Sequence, residues 1–232
     1  MIDANTELLA RMAEALGELR EHLVFVGGCA TALLITDAAA APVRVTRDVD
    51  AIAAVTTYPG YLRLADALRA RGFSQSMAGG EPPYRWMLAG MTLDLMPTSP
   101  EVLGFSNRWY EEAIRTAHAV QLREGLSIRL IDSASFVATK LEAFVDRGRG
   151  DFFHSHDLED VLSVVDGRAE LVDEMAKSTA NLREFVCEVI SRLLADDDFL
   201  NALPGIVLDG SPPMRARVVL DRLRAISSLA SR

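Results

Sequence analysis

The sequence has 232 residues and half of them are hydrophobic, so the chain can bury a sizeable core without disulfides or structural metals. Its 33 acidic and 24 basic residues give a formal net charge of −9, which argues against a protein whose whole surface binds phosphates. A local basic patch is still compatible with this charge. No apolar run approaches the roughly 18 residues of a membrane span, and we expect a cytoplasmic protein with no membrane partner.

The first half of the chain alternates helix and strand patterns. In chain order the periodicity predicts a helix over 6–20, a short strand in 22–28 that stops at two glycines, a helix over 29–40, a strand over 45–54 and a helix over 61–73. A hairpin over 84–97 should turn near Ala89 and Gly90. A β-pair around 117–122 and 126–131 should follow, although 111–118 could equally be helical.

From Asp132 onward the strand patterns stop and only helical periodicity continues. We therefore predict the α+β class, with a mixed sheet and flanking helices over 1–131 followed by a C-terminal helical bundle over 132–232. No repeat or low-complexity linker separates the two parts, so we expect them to pack closely around a shared cleft.

The stretch VRVTRDVDAIAAV places carboxylates in an otherwise apolar predicted strand. Residues two apart in a strand share a face, so Arg44, Thr46, Asp48 and Asp50 should point the same way. Adjacent buried carboxylates repel each other, and a divalent metal would remove that cost. Arg44 is expected to contact a nucleotide or to pair with a carboxylate.

Asp94 repeats this pattern within MTLDLMP. If its strand lies beside that of Asp48 and Asp50, three carboxylates converge. Hard oxygen ligands of this kind suit Mg²⁺, and two such ions could activate an attacking hydroxyl and stabilise leaving pyrophosphate. The sequence thus predicts Asp48, Asp50 and Asp94 as metal ligands.

Gly27 and Gly28 end the first predicted strand and open a helix. Backbone without a β-carbon can approach a ligand closely, and the N–H groups of a helix N-terminus favour phosphates. A simple tight turn is the alternative explanation for such a pair.

Four motifs in this order carry a resemblance to a known family. FVGGCATALL, RVTRDVDAI and LDLMP resemble the nucleotidyltransferase fold of polymerase-β-like enzymes. With the downstream ATKLEAFVDRGRGDFFHSHDLEDV, the chain is more particularly similar to the AbiEii/AbiGii-type nucleotidyltransferase toxins, which include the MenT-like proteins. The resemblance spans about residues 23 to 165.

This resemblance implies catalytic or metal-binding roles for Asp48 and Asp50, and nucleotide contacts for Gly27, Gly28 and Thr46. It further implies active-site roles for Lys140 and Asp157. The chain departs from the family pattern at Gly28, where many relatives have Ser, and in a longer spacer between the glycines and the carboxylates.

The downstream block also has features of its own. Helical spacing places Lys140 on one face with Phe136, Phe144 and Arg147, so its ammonium could reach nucleotide phosphates or could simply lie along apolar surface. Asp157 and Asp160 could meet Lys140 or Arg147 across a helix pair, or could only favour the first turn of a helix. Arg147 and Arg149 belong to a polar run that is either a solvated loop or a clamp for phosphate or RNA.

We therefore predict an enzyme that moves a nucleoside monophosphate from an NTP to an acceptor, with Asp157 positioning or deprotonating that acceptor and Lys140 neutralising phosphates. The family resemblance implies tRNA or protein as acceptor, a toxin role and a cognate antitoxin as partner. Two alternatives stay open at this stage. One is transfer to a small molecule of the aminoglycoside type, and the other is a catalytically silent nucleotide-binding module.

Overall fold

The computed structural model describes residues 3–75, 82–147, 151–207 and 214–231. The chain divides into two compact units. The first contains residues 1–32 and 44–132, and the second contains residues 33–43 and 133–232. The segment 33–43, which the sequence assigned to the first part, thus goes with the second.

Within the described residues, the first unit is built on one mixed sheet of six strands in the order β3-β4-β2-β1-β6-β5. The strands are β1 (Leu23–Val26), β2 (Asp48–Ala53), β3 (Arg85–Leu88), β4 (Met91–Pro97), β5 (His118–Arg123) and β6 (Leu126–Leu130). The pairs β2–β4 and β1–β6 are parallel and the other neighbours are antiparallel. The sheet is therefore mixed, as predicted.

Helices flank this sheet in the first unit. They are α1 (Ala4–Leu16), α2 (Gly27–Leu34), which continues into the second unit, α3 (Tyr58–Ala70), α4 (Pro100–Leu103) and α5 (Tyr110–Thr116). Asp3 caps α1 by accepting hydrogen bonds from the next backbone amides, and Gly17 ends the helix with φ +54°.

In the residues that the structure describes, the second unit consists of helices and the segments that connect them. Its helices are α6 (Ser133–Arg147), α7 (His156–Gly167), α8 (Leu171–Lys177), α9 (Ala180–Leu194), α10 (Asp197–Val207) and α11 (Met214–Ser227). The predicted α+β class, with a mixed sheet, flanking helices and a C-terminal helical part, is confirmed.

The segment 33–43 joins the second unit through contacts at the end of α7. Gly167 accepts hydrogen bonds from the amides of Thr36 and Asp37, and Arg215 of α11 forms an ion pair with Asp37 at 2.8 Å. Because these contacts hold the chain after Leu34, the predicted helix over 29–40 is too long at its C-terminal end.

The hairpin of β3 and β4 forms as predicted. Ala89 and Gly90 make its two-residue turn, with φ +48° and +80°, which suits a tight antiparallel hairpin. The helix and strand predictions for 111–122 are reconciled, since α5 ends at Thr116 and β5 begins at His118.

The predicted strand over 45–54 is too long, because β2 begins only at Asp48. Residues 44–46 instead bond to the side chain of Asn5.

None of the helices in the described ranges is both long enough and apolar enough to cross a membrane.

Candidate active site

A row of paired residues crosses the sheet of the first unit. Val26 pairs with Asp50, Asp50 with Asp94, and Asp94 with Arg85. Directly paired residues share a face of a sheet, so Asp50, Asp94 and Arg85 project from the same side, together with Asp48 two residues before Asp50. The strands of Asp48, Asp50 and Asp94 are thus neighbours, which was the condition for these carboxylates to converge.

The glycine turn meets this row at Asp50. Gly27 follows Val26 at the end of β1 and has φ +74°, a conformation that favours glycine. A β-carbon at position 27 would lie 1.9 Å from Oδ2 of Asp50. The absence of a side chain at Gly27 is therefore what allows the Asp50 carboxylate to occupy its position. Gly28 is the second residue of α2 and is buried.

Arg85 binds Asp94, the residue directly opposite it in the sheet. Its Nε donates to Asp94 Oδ1 at 2.8 Å and its Nη2 donates to Asp94 Oδ2 at 2.7 Å, so both oxygens of Asp94 are engaged. The same Nη2 lies 3.6 Å from Oδ2 of Asp48. The Asp94 side chain is 6% exposed, whereas that of Asp48 is 40% exposed. Asp48 is therefore the carboxylate more open to a ligand.

Arg44 and Thr46 precede β2, and a side chain of α1 binds the backbone of both. The buried side chain of Asn5 donates from Nδ2 to the carbonyl of Arg44 at 2.8 Å and accepts at Oδ1 from the amide of Thr46 at 3.0 Å. One amide side chain thereby satisfies the same backbone groups that a neighbouring strand would. Thr46 itself is buried, and its hydroxyl faces the carbonyl of Asp48 at 3.4 Å.

Cys29 lies in α2 beside this segment. Burial, together with the neighbouring charges of Asp50, Asp3 and Asp48, raises the pKa of its thiol to about 12, although a hydrogen bond with Thr46 opposes the shift. The thiol therefore stays protonated at neutral pH and is unsuited to act as a nucleophile.

A second charged cluster lies within the helical unit. Lys140 Nζ of α6 is 3.2 Å from Asp157 Oδ1 and 2.7 Å from Asp160 Oδ2, both on α7. It also lies over the ring of Phe136, 5.9 Å from the ring centre. Arg147 reaches Asp157 at 3.1 Å. The predicted meeting of Lys140 and Arg147 with these aspartates is thus observed, whereas Arg149 lies outside the described residues.

The side chains of Lys140, Asp157 and Asp160 are only 14%, 15% and 5% exposed. Charges buried to this degree require partners, and Lys140 serves two carboxylates at once. Asp160 is therefore as closely bound to Lys140 as the predicted active-site residue Asp157. That this cluster acts in the same reaction as the sheet carboxylates stays a prediction.

The metal-binding role of Asp48, Asp50 and Asp94 stays a prediction. Among the residues that the structure describes, no three His, Cys, Asp or Glu side chains form a group that could hold a metal ion. Asp48 and Asp50 nevertheless suit a hard cation, because both carry oxygen donors and lie two residues apart on one face of β2. Asp94 fits less well, because Arg85 already binds both of its oxygens.

Sequence reasoning missed Arg85 and Asn5. A signal for Arg85 was present, because a two-residue turn at Ala89 and Gly90 fixes the hairpin register and places residue 85 opposite Asp94. For Asn5 no comparable signal exists, because its contact with Arg44 and Thr46 joins segments about 40 residues apart.

Comparisons with known proteins give no family assignment. No protein-family model matches the sequence, and no curated protein matches it. Among solved structures, the chain is similar to an antigenic nucleotidyltransferase-like protein from Paracoccidioides brasiliensis, with a TM-score of 0.48 and 19% identity over 85% of this chain and 92% of that one. The resemblance to AbiEii-type proteins therefore rests on the residues of the motifs.

Proposed function

We propose that this protein is a Mg²⁺-dependent nucleotidyltransferase that moves a nucleoside monophosphate from an NTP to an acceptor. The observation that supports this most is the contact between the Gly27 turn and Asp50, with Asp48 on the same face of β2. A phosphate-binding turn and a pair of carboxylates at one point are what transfer of a nucleotidyl group requires.

In the proposed reaction, an acceptor oxygen bonds to the α-phosphorus of the NTP. The bond from that phosphorus to the oxygen bridging to the β-phosphate breaks, and pyrophosphate leaves with the electron pair. Asp48 and Asp50 would hold the Mg²⁺ ions, which when bound neutralise phosphate charge. The backbone amides at Gly27 and Gly28, with Thr46 and Arg44, would receive the phosphates.

Lys140 and Asp157 carry the remaining proposed roles. Lys140 would neutralise phosphate charge, and Asp157 would position the acceptor or accept its proton. Their short contact of 3.2 Å supports a linked role, because the ammonium of Lys140 fixes the position of the Asp157 carboxylate.

We further propose tRNA or a protein side chain as the acceptor, a toxin role and control by a cognate antitoxin. These finer assignments rest on the resemblance of the motifs to AbiEii-type toxins. A toxin role predicts that expression of the wild-type chain arrests bacterial growth and that an inactive Asp48 variant does not.

The test is transfer of label. The protein is incubated with Mg²⁺ and each α-³²P-labelled NTP, first alone, then with total tRNA, and then with aminoglycosides. We expect label in tRNA or in protein, and label on the aminoglycoside would move the assignment to a small-molecule acceptor. Asp48→Asn should abolish transfer, whereas Asp66→Asn, which changes an exposed aspartate of α3, should not. Transfer that survives in Asp48→Asn, or binding of NTP without any transfer, would overturn the proposal.

A further inference from the structure

Asp94 already has a cation in this structure. The guanidinium of Arg85 makes two parallel hydrogen bonds to its carboxylate, at 2.8 and 2.7 Å. This two-point geometry is the strongest that arginine forms with a carboxylate, and the guanidinium stays charged at any physiological pH. Asp94 is therefore neutralised without a metal ion.

The position of Arg85 follows from the hairpin. Arg85 lies directly opposite Asp94, and the next residue, Trp86, is fully buried on the other face, opposite Leu93. A shift of one residue in register would expose Trp86 and bury Arg85 among apolar side chains. The core thus holds the guanidinium against Asp94, and a metal ion at Asp94 would have to displace it.

The same guanidinium borders the remaining carboxylates. Its Nη2 lies 3.6 Å from Asp48 Oδ2, so its positive charge reduces the attraction of the carboxylate face for cations. Arg85 thereby cancels one of the negative charges contributed by Asp48, Asp50 and Asp94.

We infer that Arg85, rather than a metal ion, is the cation of Asp94, and that it restricts divalent-ion binding in the nucleotide-free protein to one ion at Asp48 and Asp50. This inference rests on the proposed function, and it assigns Arg85 as a positioning residue that sets the number of metal ions. In this assignment Asp94 holds the guanidinium of Arg85 in place and is not itself a metal ligand.

The test is Mn²⁺ binding to the full chain without nucleotide, measured by the loss of the free-ion signal in electron paramagnetic resonance. We expect one ion per wild-type chain. The double variant Arg85→Gln/Asp94→Asn removes both charges and should bind Mn²⁺ with the wild-type affinity. If Asp94 were a ligand, the double variant would bind about tenfold or more weakly, and that result would overturn the inference.

The single variant Arg85→Gln provides a second test, because it leaves Asp94 without its cation. It should bind Mn²⁺ about tenfold more tightly and accept a second ion. Arg115→Gln, which changes an exposed arginine of the same unit that pairs with Glu112, is the matched control and should not alter binding. Unchanged affinity and stoichiometry in Arg85→Gln would contradict the inference.

A third test uses the wild-type chain, so its result does not depend on whether these variants fold. The Nε–H resonance of Arg85 in a ¹⁵N NMR spectrum should persist, with its protection from exchange unchanged, when Mg²⁺ is added to saturation. Loss of that protection would mean that the metal displaces Arg85, which would overturn the inference.

The outcomes separate this inference from the proposed function. The expected Mn²⁺ pattern without any NTP transfer would overturn the function alone. Binding by Arg85→Gln but not by the wild type would overturn the proposed metal dependence and the expected single ion at Asp48 and Asp50. No binding by either protein would overturn both.

Discussion

The Cα of Gly27 faces the carboxylate of Asp50 so closely that a β-carbon at position 27 would lie 1.9 Å from Oδ2. No rotation about the side-chain bonds of residue 27 could relieve this contact, because the β-carbon position is set by the backbone. The Asp50 side chain must therefore move in any variant that carries a side chain at this position.

Gly27→Ala should reduce NTP transfer by about a hundredfold, because displacing a reacting group by an ångström has an effect of this size. Gly125→Ala is the matched control. Gly125 has φ +72° against +74° for Gly27, and a β-carbon there would meet nothing within 4 Å. Both variants should lose about 1–2 kcal/mol of unfolding free energy through the left-handed backbone, as measured in urea, and Gly27→Ala should lose more because Asp50 must also move. Equal activity in the two would show that the Gly27–Asp50 contact has no role in transfer.

Asn5→Ala should weaken nucleotide binding without touching the nucleotide itself. The carbonyl of Arg44 and the amide of Thr46 would lose their bonds to the Asn5 side chain, which costs about 1–3 kcal/mol of stability. Because Thr46 is proposed to receive phosphates, we expect the KM for NTP to rise more than kcat falls. Steady-state kinetics measure this split.

Thr6→Ala is the control for Asn5→Ala, since Thr6 lies in the same first turn of α1 and its hydroxyl donates to the side chain of Asp3. If the KM for NTP is the same in Asn5→Ala and Thr6→Ala, Asn5 does not support nucleotide binding.

Lys140→Met should destabilise the helical unit strongly. It would leave Asp157 and Asp160 without the ammonium that they share, and loss of one partner from a buried ion pair costs about 3–5 kcal/mol. Lys177→Met, which changes an exposed lysine at the end of α8, should have almost no effect. Chemical unfolding measures both.

Adding Asp160→Asn to Lys140→Met separates structure from chemistry, because it removes the more deeply buried of the two negative charges that Lys140 contacts. The double variant should regain part of the lost stability and still lack transfer activity. Activity that returns together with stability would mean that Lys140 has a structural role only.

Glu174→Gln should alter the pH dependence of stability. Arg168 donates to both carboxylate oxygens of Glu174 at 2.6 Å, and these bonds hold the pKa of Glu174 below its ordinary value of 4.5 although burial opposes the shift. A pKa lowered on folding stabilises the native state above the unfolded-state value, and this contribution is lost as the pH falls through the lowered value.

The unfolding free energies of the wild type and Glu174→Gln should therefore differ most near neutral pH, by about 1.5–3 kcal/mol. The difference should shrink as the pH falls below 4.5, the ordinary glutamate value. Glu188→Gln, which changes an exposed glutamate of α9, is the control. A difference that is constant down to pH 3 would contradict the assigned ion pair.

Much of the local structure followed from the sequence because it depends on neighbours along the chain. The alternation of Asp48 and Asp50 in a strand places them on one face, and the turn at Ala89 and Gly90 fixes the pairing of β3 with β4. Helical spacing likewise placed Asp157 and Asp160 where Lys140 could reach both. These are short-range properties of backbone geometry.

Contacts between distant segments could not be predicted in this way. The parallel pairing of β2 with β4, which places Asp50 beside Asp94, depends on a crossover that local patterns do not specify. The early end of α2 at Leu34 and the late start of β2 at Asp48 likewise depend on bonds from Gly167 and Asn5. A prediction from local periodicity therefore continues such an element past the point where a hydrogen bond to a distant residue ends it.

The sequence by itself determined which residue types stand on which face of each strand and helix, since periods of two and of 3.6 residues are properties of the chain alone. Tertiary structure decided which faces meet. It placed Asp50 against Gly27, and it placed Arg85, whose position opposite Asp94 the hairpin turn had already encoded, at 3.6 Å from Asp48. The charge balance of the candidate site was therefore decided by packing between strands that are far apart in sequence.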